Sequence, residues 1–388
     1  MTVSVKVSDS QRYMQMALRL AKRGIGKVEP NPAVGCIIVK ANQIIGKGWH
    51  KKFGEAHAEI MALEDCKTLG VNPRGATMYI TLEPCCHQGK TGPCTQAIIN
   101  AGLGKVVVAT IDPSAHNNGK GIEQLRNAGI EVQTGICETE AKLLNAPFIK
   151  FASTGKCWTV LKWAQSIDGK LAYANRTNEQ QWISCELSRK DAQNLRLRVG
   201  AILVGINTVI ADDPLLTVRP GGGKNPVRIV LDSSLRIPLN CKLLGTANKS
   251  PVLIITSQQS LQTNPKTAEG IAQKGAEVIA YPDMQGRSNL YFLFDELAKR
   301  GITQLLVEGG PKVIASFLKE RFVDELNIYI CPKILGAQGS ANITDPLSEL
   351  SYEVSFHYVD VKRFGDDICL TGFSEKTLRE LSITIRPS

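Results

Sequence analysis

The sequence predicts an α/β protein of two domains, and three observations carry that reading. At 388 residues the chain is longer than one hydrophobic core ordinarily serves. Short runs rich in β-branched residues alternate with helical stretches, the rhythm of a largely parallel sheet covered by helices. That rhythm breaks at "LNAPFIKFASTGKC" (residues 144–157), where Pro147 and a Ser-Thr-Gly turn precede a fresh strand. The expected domains are residues 1–150 and 151–373, with 374–388 as a peripheral tail.

Each element follows from its local pattern. "QRYMQMALRLAKRG" spaces its apolar residues for a helix that stops at Gly24. "VGCIIVK", "GATMYITLEP" and "KVVVAT" are strands, and "AHAEIMALEDCKTLG", "TQAIINAG" and "GIEQLRNAG" are helices between and after them. Beyond the break, "WTVLKWAQSIDG", "AILVGIN", "PVRIVLDS", "PVLIITS", "AEVIAYP", "ITQLLVEGG" and "DELNIYICPKILG" are strands in turn. Internal repeats and low-complexity segments are absent.

Composition narrows the function classes. With 43% hydrophobic and 21% charged residues the chain has a soluble globular make-up. It holds no apolar run near the roughly 18–20 residues of a membrane span, and its start lacks a signal peptide's apolar core, so a cytoplasmic protein is expected. Eleven scattered cysteines, an odd number, read as free thiols with room for a metal site. The net charge of +10 is not concentrated: residues 1–150 hold 18 Lys/Arg against 12 Asp/Glu, and the remainder 28 against 24. An even surplus suits a phosphorylated small molecule better than nucleic acid, whose footprint is a stripe.

The most informative stretch is "EPCCHQGKTGPC", Glu83 to Cys94, with "HAE" upstream. A His-x-Glu opening a helix, then a strand, Pro-Cys and a later Cys, is the pattern of zinc-dependent base deaminases. The chemistry needs that set. One imidazole and two thiolates hold zinc and leave a tetrahedral position open. A water there is activated at neutral pH, and a non-ligating carboxylate moves its protons. His57, Cys85 and Cys94 are the expected ligands and Glu59 the proton shuttle. Cys86, adjacent to Cys85 in an extended segment, points away. Two plainer readings compete: a closed structural site using Cys85, His87 and Cys94 with another thiol, and buried structural cysteines beside a surface His57.

"PNPAVGCIIV", "HAEIMAL" and "TLEPCCHQGKTGPC" together resemble the amino-terminal half of the bifunctional riboflavin-biosynthesis deaminase–reductase family. That family commonly has a proline where Gly92 stands. The resemblance implies a cytidine-deaminase-like three-layer α/β/α domain, and makes Asn31, His87 and Lys90 substrate contacts. Lys90 would suit a 5-phosphate; its plainer reading is a solvated loop lysine. "LKWAQSIDGK", "EQQWIS", "VGINTVIADDPLLTVR", "IVLDS" and "LLVEGGP" resemble the family's reductase half, which has a dihydrofolate-reductase-like α/β fold and uses NADPH. From the residues alone, "LLVEGGPKVIASFL" is a strand, a Gly-Gly turn and a helix whose first N–H groups could cradle phosphate; a plain tight turn reads equally well.

By that resemblance, cofactor contacts fall on Ala164, Trp182, Thr208, Asp212, Ser233 and the stretch from Gly310. Substrate contacts fall on Lys162, Ser184, Arg196, Leu216, Arg219 and Glu308. Arg196 and Arg219 make sense as a phosphate clamp, because guanidinium presents a planar fork of donors. Gln180 departs from a frequent serine. Lys162 and Asp212 are candidates for orienting the ribose or moving protons, or members of structural ion pairs. The implied function is hydrolytic deamination of a phosphoribosylated diaminopyrimidinone, then NADPH-dependent reduction of ribosyl to ribityl. The expected partners are that phosphorylated pyrimidine and further copies of the chain in a homo-oligomer, with no nucleic acid and no membrane. The rivals are a nucleic-acid base deaminase, which leaves the second half unexplained, and a zinc-stapled binding protein, which has no use for Glu59.

Overall fold

A computed structural model describes residues 8–88, 92–175, 182–219, 225–282 and 290–385. The chain divides into two compact units, Met1–Gly155 and Lys156–Ser388.

The first unit holds strands β1 (Gly35–Lys40), β2 (Gln43–Trp49), β3 (Thr77–Ile80), β4 (Lys105–Val108) and β5 (Glu131–Thr134), in the order β2-β1-β3-β4-β5. Strand alternation sends Ile37, Val39, Tyr79 and Val107 to one face, where they pack on Tyr13, Met14 and Ala17 of the Asp9–Ala21 helix. Their neighbours Cys36, Ile38, Met78, Ile80, Val106 and Val108 face the other way, onto Ala58 and Ala62 of the Ala58–Thr68 helix and Leu125. Three layers result. The sheet is more mixed than expected: β3, β4 and β5 are parallel, but β1 runs antiparallel to both β2 and β3. The β1–β2 reversal is a tight hairpin at Ala41 and Asn42, both with positive φ (48° and 59°), in which a two-residue turn matches the strand twist. Gly48 on β2 lets the Ala58–Thr68 helix come close, since a Cβ there would lie 2.2 Å from Ala58 O.

The second unit is built on nine strands: β6 (Trp158–Ser166), β8 (Ala201–Gly205), β9 (Val227–Leu231), β10 (Val252–Ser257), β11 (Glu277–Tyr281), β12 (Gln304–Val307), β13 (Glu325–Cys331), β15 (Phe356–Phe364) and β16 (Asp367–Ser374). Their order is β11-β10-β9-β8-β12-β6-β13-β16-β15, and a small separate ladder pairs β7 (Lys170–Tyr173) with β14 (Gly339–Asn342). From β11 to β13 every pair is parallel, whereas β16 and β15 add an antiparallel hairpin. The segment after Phe373 is not peripheral. β16 runs through Ser374, and the Glu375–Glu380 helix buries Thr377 and Leu378; Leu381 and Ile383 are buried after it. Thr377 Oγ1 donates to the buried Asp324. Among the described residues no helix is long and apolar enough to cross a membrane. All eleven cysteines are free thiols.

Candidate functional site

In the first unit three elements converge. His57 is the extended N-cap of the Ala58–Thr68 helix (φ −73°, ψ 164°). Cys85 lies in the loop after β3, and Cys94 is the first residue of the Cys94–Asn100 helix, behind Pro93. His57 Nδ1 stands 3.3 Å from Cys94 Sγ and 3.6 Å from Cys85 Sγ, and the three ligand atoms all lie within 4.8 Å of one another. A tetrahedral ion with bonds of about 2.0–2.3 Å has donors about 3.3–3.8 Å apart, so this donor set fits zinc. The Cys94 N–H donates to Cys85 Sγ at 3.4 Å. Hydrogen bonds from Cys94 and His57 hold the Cys85 thiol well below its ordinary value, while Cys94 beside it is driven up. His57 is raised by its bond to Cys85. Cys86 turns its thiol away, toward His116 O.

Glu59 is 3% exposed. Burial, then the Cys85 charge, pushes its carboxyl up to about 7. A group so poised both takes and gives a proton near neutral pH. Asn31 lies one residue removed: its Nδ2 is 3.4 Å from His50 Nε2, and the His50 ring sits edge-on to His57 at 5.4 Å. Sequence reasoning missed His50, which is buried and hydrogen-bonded through Nδ1 to Ala56 O at 3.2 Å. Burial lowers its pKa. Only its place at a strand end, beside a ligand-bearing loop, could have marked it. It missed Glu83 and Asn117 too, which tie together segments some 30 residues apart. His87 is exposed and faces His116, ring centroids 5.6 Å apart. Lys90 lies outside the described residues.

In the second unit the carboxyl ends of the parallel strands open onto a cavity of about 1750 Å³. Single-ligand pockets occupy about 300–1,000 Å³, so this one has room for two molecules. Lys162, Ser184, Arg196, Arg219 and Glu308 line it, as do Ala164, Trp182, Thr208, Asp212, Ser233 and Gly310. Leu216 is 3% exposed and is not part of the wall; it holds a left-handed backbone (φ 52°), a strained state for a residue with a Cβ. Gln180 lies outside the described residues. Gly310 is the N-cap of the Pro311–Lys319 helix, with Thr208 Oγ1 4.0 Å from where a Cβ would stand.

The arginine fork expected to face phosphate is turned to protein. Arg196 donates from Nε to Glu308 Oε1 (3.1 Å), from Nη2 to Oε2 (2.8 Å) and from Nη1 to Thr217 O (3.1 Å). Burial alone would raise the Glu308 carboxyl, but the Arg196 and Lys162 charges overcome it and hold it at about 2. Lys162 Nζ also stands 5.6 Å from the centre of the Tyr329 ring, whose hydroxyl donates to Asp191 Oδ2 at 2.7 Å.

Two family models divide the chain in the same way. Residues 7–110 match the cytidine and deoxycytidylate deaminase zinc-binding region, and residues 157–370 match the RibD C-terminal domain. The chain belongs to the RibD family of riboflavin biosynthesis proteins. A RibD of Aquifex aeolicus is 46% identical over 84% of this chain and 88% of its own. The structure of an Acinetobacter baumannii RibD superposes with a TM-score of 0.79 at 37% identity, covering 94% of this chain and 98% of its own. A Thermotoga maritima diaminohydroxyphosphoribosylaminopyrimidine deaminase/5-amino-6-(5-phosphoribosylamino)uracil reductase does so at 0.79 and 34% identity, over 94% and 98%. As a RibD family member the chain is a bifunctional deaminase and reductase of riboflavin biosynthesis. The matched cytidine and deoxycytidylate deaminase zinc-binding region contains the His57, Cys85 and Cys94 cluster.

Proposed function

We propose that the first unit deaminates 2,5-diamino-6-(5-phosphoribosylamino)pyrimidin-4-one and that the second reduces the product's ribosyl group to ribityl with NADPH. The observation that carries this reading is the Glu59 carboxyl, buried two residues from His57 beside the His57, Cys85 and Cys94 cluster. A zinc-stapled binding protein has no use for such a group. Zinc held by His57, Cys85 and Cys94 supplies Lewis acidity and a nucleophile at neutral pH. Glu59 takes one proton from the attacking water and gives it to a ring nitrogen as the oxygen bonds to carbon; it then takes the second from the resulting hydroxyl and passes it to the amine, whose C–N bond breaks to release ammonia as the carbonyl forms. Asn31, backed by His50, orients the pyrimidine, and His87 and Lys90 are the further substrate contacts.

In the second unit bound NADPH would supply the hydride: the ribosyl C1–O ring bond opens to an imine, C1 takes the hydride and the nitrogen takes a proton. The NADPH contacts are Ala164, Trp182, Thr208, Asp212, Ser233 and the helix start at Gly310, where the positive end of the helix dipole favours phosphate. Lys162 faces the ribosyl group beside Glu308 and moves its proton. The substrate phosphate meets the exposed Arg219 and the Arg196 hydrogens that Glu308 leaves free, with Ser184 nearby and Leu216 shaping the loop behind. The exposed β15 edge, with Val359 and Val361 55% and 61% exposed, supports association of copies into a homo-oligomer, which light scattering would test.

The test is one assay on zinc-loaded protein with and without NADPH, following ammonia and 340 nm absorbance together. Ammonia without NADPH, and NADPH oxidation only after ammonia appears, is the expected result. Ammonia with no NADPH oxidation would overturn the reductase half. Silence in both signals from zinc-loaded protein would overturn the substrate assignment.

A further inference from the structure

The backbone around Cys85 is held by residues from much further along the chain. Glu83, two residues earlier, is 4% exposed. Its Oε2 accepts from the N–H groups of Asp112 (3.2 Å) and Gly119 (2.9 Å), and its Oε1 from those of Gly121 (2.8 Å) and Ile122 (3.3 Å). Gly121 and Ile122 stand in the first turn of the Lys120–Asn127 helix, whose N–H groups have no partner within the helix. Asn117, fully buried, completes the cradle. Its Nδ2 donates to Glu83 O (3.4 Å) and Pro84 O (3.3 Å), and its Oδ1 accepts from the Cys86 N–H (3.1 Å). The fit is close: a Cβ on Gly121 would lie 2.2 Å from Pro84 O.

We propose that Glu83, assisted by Asn117, is a positioning residue of the metal centre. It pins the Pro84–Cys86 backbone to the start of the Lys120–Asn127 helix and so sets where the Cys85 sulfur stands relative to His57 and Cys94. The inference rests on the zinc reading above. The spacing explains the need. In a Pro-Cys-x-x-Cys arrangement one helical turn places both sulfurs. Here Cys94 comes nine positions after Cys85, so it cannot fix the approach of Cys85 unaided, and a second anchor does so. The anchor must be a carboxylate, because N–H donors meet both of its oxygens. An amide turns one acceptor into a donor that faces two N–H groups.

The experiment compares wild type, Glu83→Gln, Glu83→Asp and Cys85→Ser as full-length protein. Zinc release to a chromophoric chelator and the thiolate-to-cobalt absorption band of cobalt-loaded samples are the readouts, and reductase turnover reports that the rest of the chain is intact. Glu83→Gln is expected to release zinc about 10- to 100-fold faster, to shift the cobalt band, and to regain ammonia release at excess zinc, with reductase turnover unchanged. Wild-type release rate and band in Glu83→Gln would overturn the inference and leave the zinc reading standing. Should Glu83→Gln lose the first unit's unfolding transition, Glu83→Asp decides by the same two readouts: it keeps the charge with a shorter reach, and wild-type behaviour would again overturn the inference. Cys85→Ser holding zinc as tightly as wild type would overturn the zinc reading itself, and the inference with it.

Discussion

At Glu59 burial and a neighbouring sulfur charge act in the same direction and lift a common carboxyl to about 7, the poise that the proposed proton shuttle needs. Replacing it by glutamine keeps the shape and removes the proton chemistry. Ammonia release is expected to fall by about 10²–10⁴-fold at unchanged zinc content, measured by metal analysis of the same sample. At Glu308 the forces oppose each other, and the ion pair wins. Its folded pKa of about 2 lies below the ordinary carboxylate value. The pair's stabilisation is therefore fully present above about pH 4.5 and is lost as the pH falls toward 2. Glu308→Gln should remove that contribution, so the stability difference between wild type and variant narrows across that window in acid unfolding followed by tryptophan fluorescence. Arg196→Ala should raise the KM for phosphorylated substrate far more than that for NADPH. It should also destabilise the second unit by about 3 kcal/mol, because Glu308 is left buried without its partner. An equal loss for both substrates would sink the phosphate assignment.

Between elements, the docked carboxy-terminal helix makes its own prediction. Leu378 is fully buried, so Leu378→Ala should cost about 2–5 kcal/mol, read as a lower melting temperature of the second unit with zinc binding unaffected. The same region marks the limit of sequence reading. Buried strands such as β8, β10 and β12 announce themselves as unbroken apolar runs, and each was legible. The β15–β16 hairpin was not, because β15 alternates charged residues on an exposed edge, "FHYVDVKRF", and its partner is known only once the sheet is assembled. β2 was hidden by a turn lacking Asn-Gly or Asp-Gly. The site divides along the same line. The cluster of His57, Cys85 and Cys94 was legible because zinc chemistry prescribes residue types in order. His50, Glu83 and Asn117 were not, because a positioning role depends on packing, and each meets its partner through a fold rather than a spacing.

For the whole molecule, two chemistries occupy two units, each with its own core clusters. Removing zinc with a chelator should abolish ammonia release while leaving NADPH oxidation on already deaminated substrate intact; loss of both would contradict independent sites. Within the second unit, Lys162 lies on β6 and Glu308 directly follows β12, the two strands at the middle of the nine-stranded sheet. Backbone amides there have sheet neighbours on both sides and no route to solvent short of global opening. They are expected to exchange with deuterium last, while the surroundings of Trp182 and Arg219, on connecting segments, exchange early. On heating, Lys162 and Glu308 would then stay aligned until the sheet itself melts, and any earlier loss of turnover would reflect the ligand-covering segments alone.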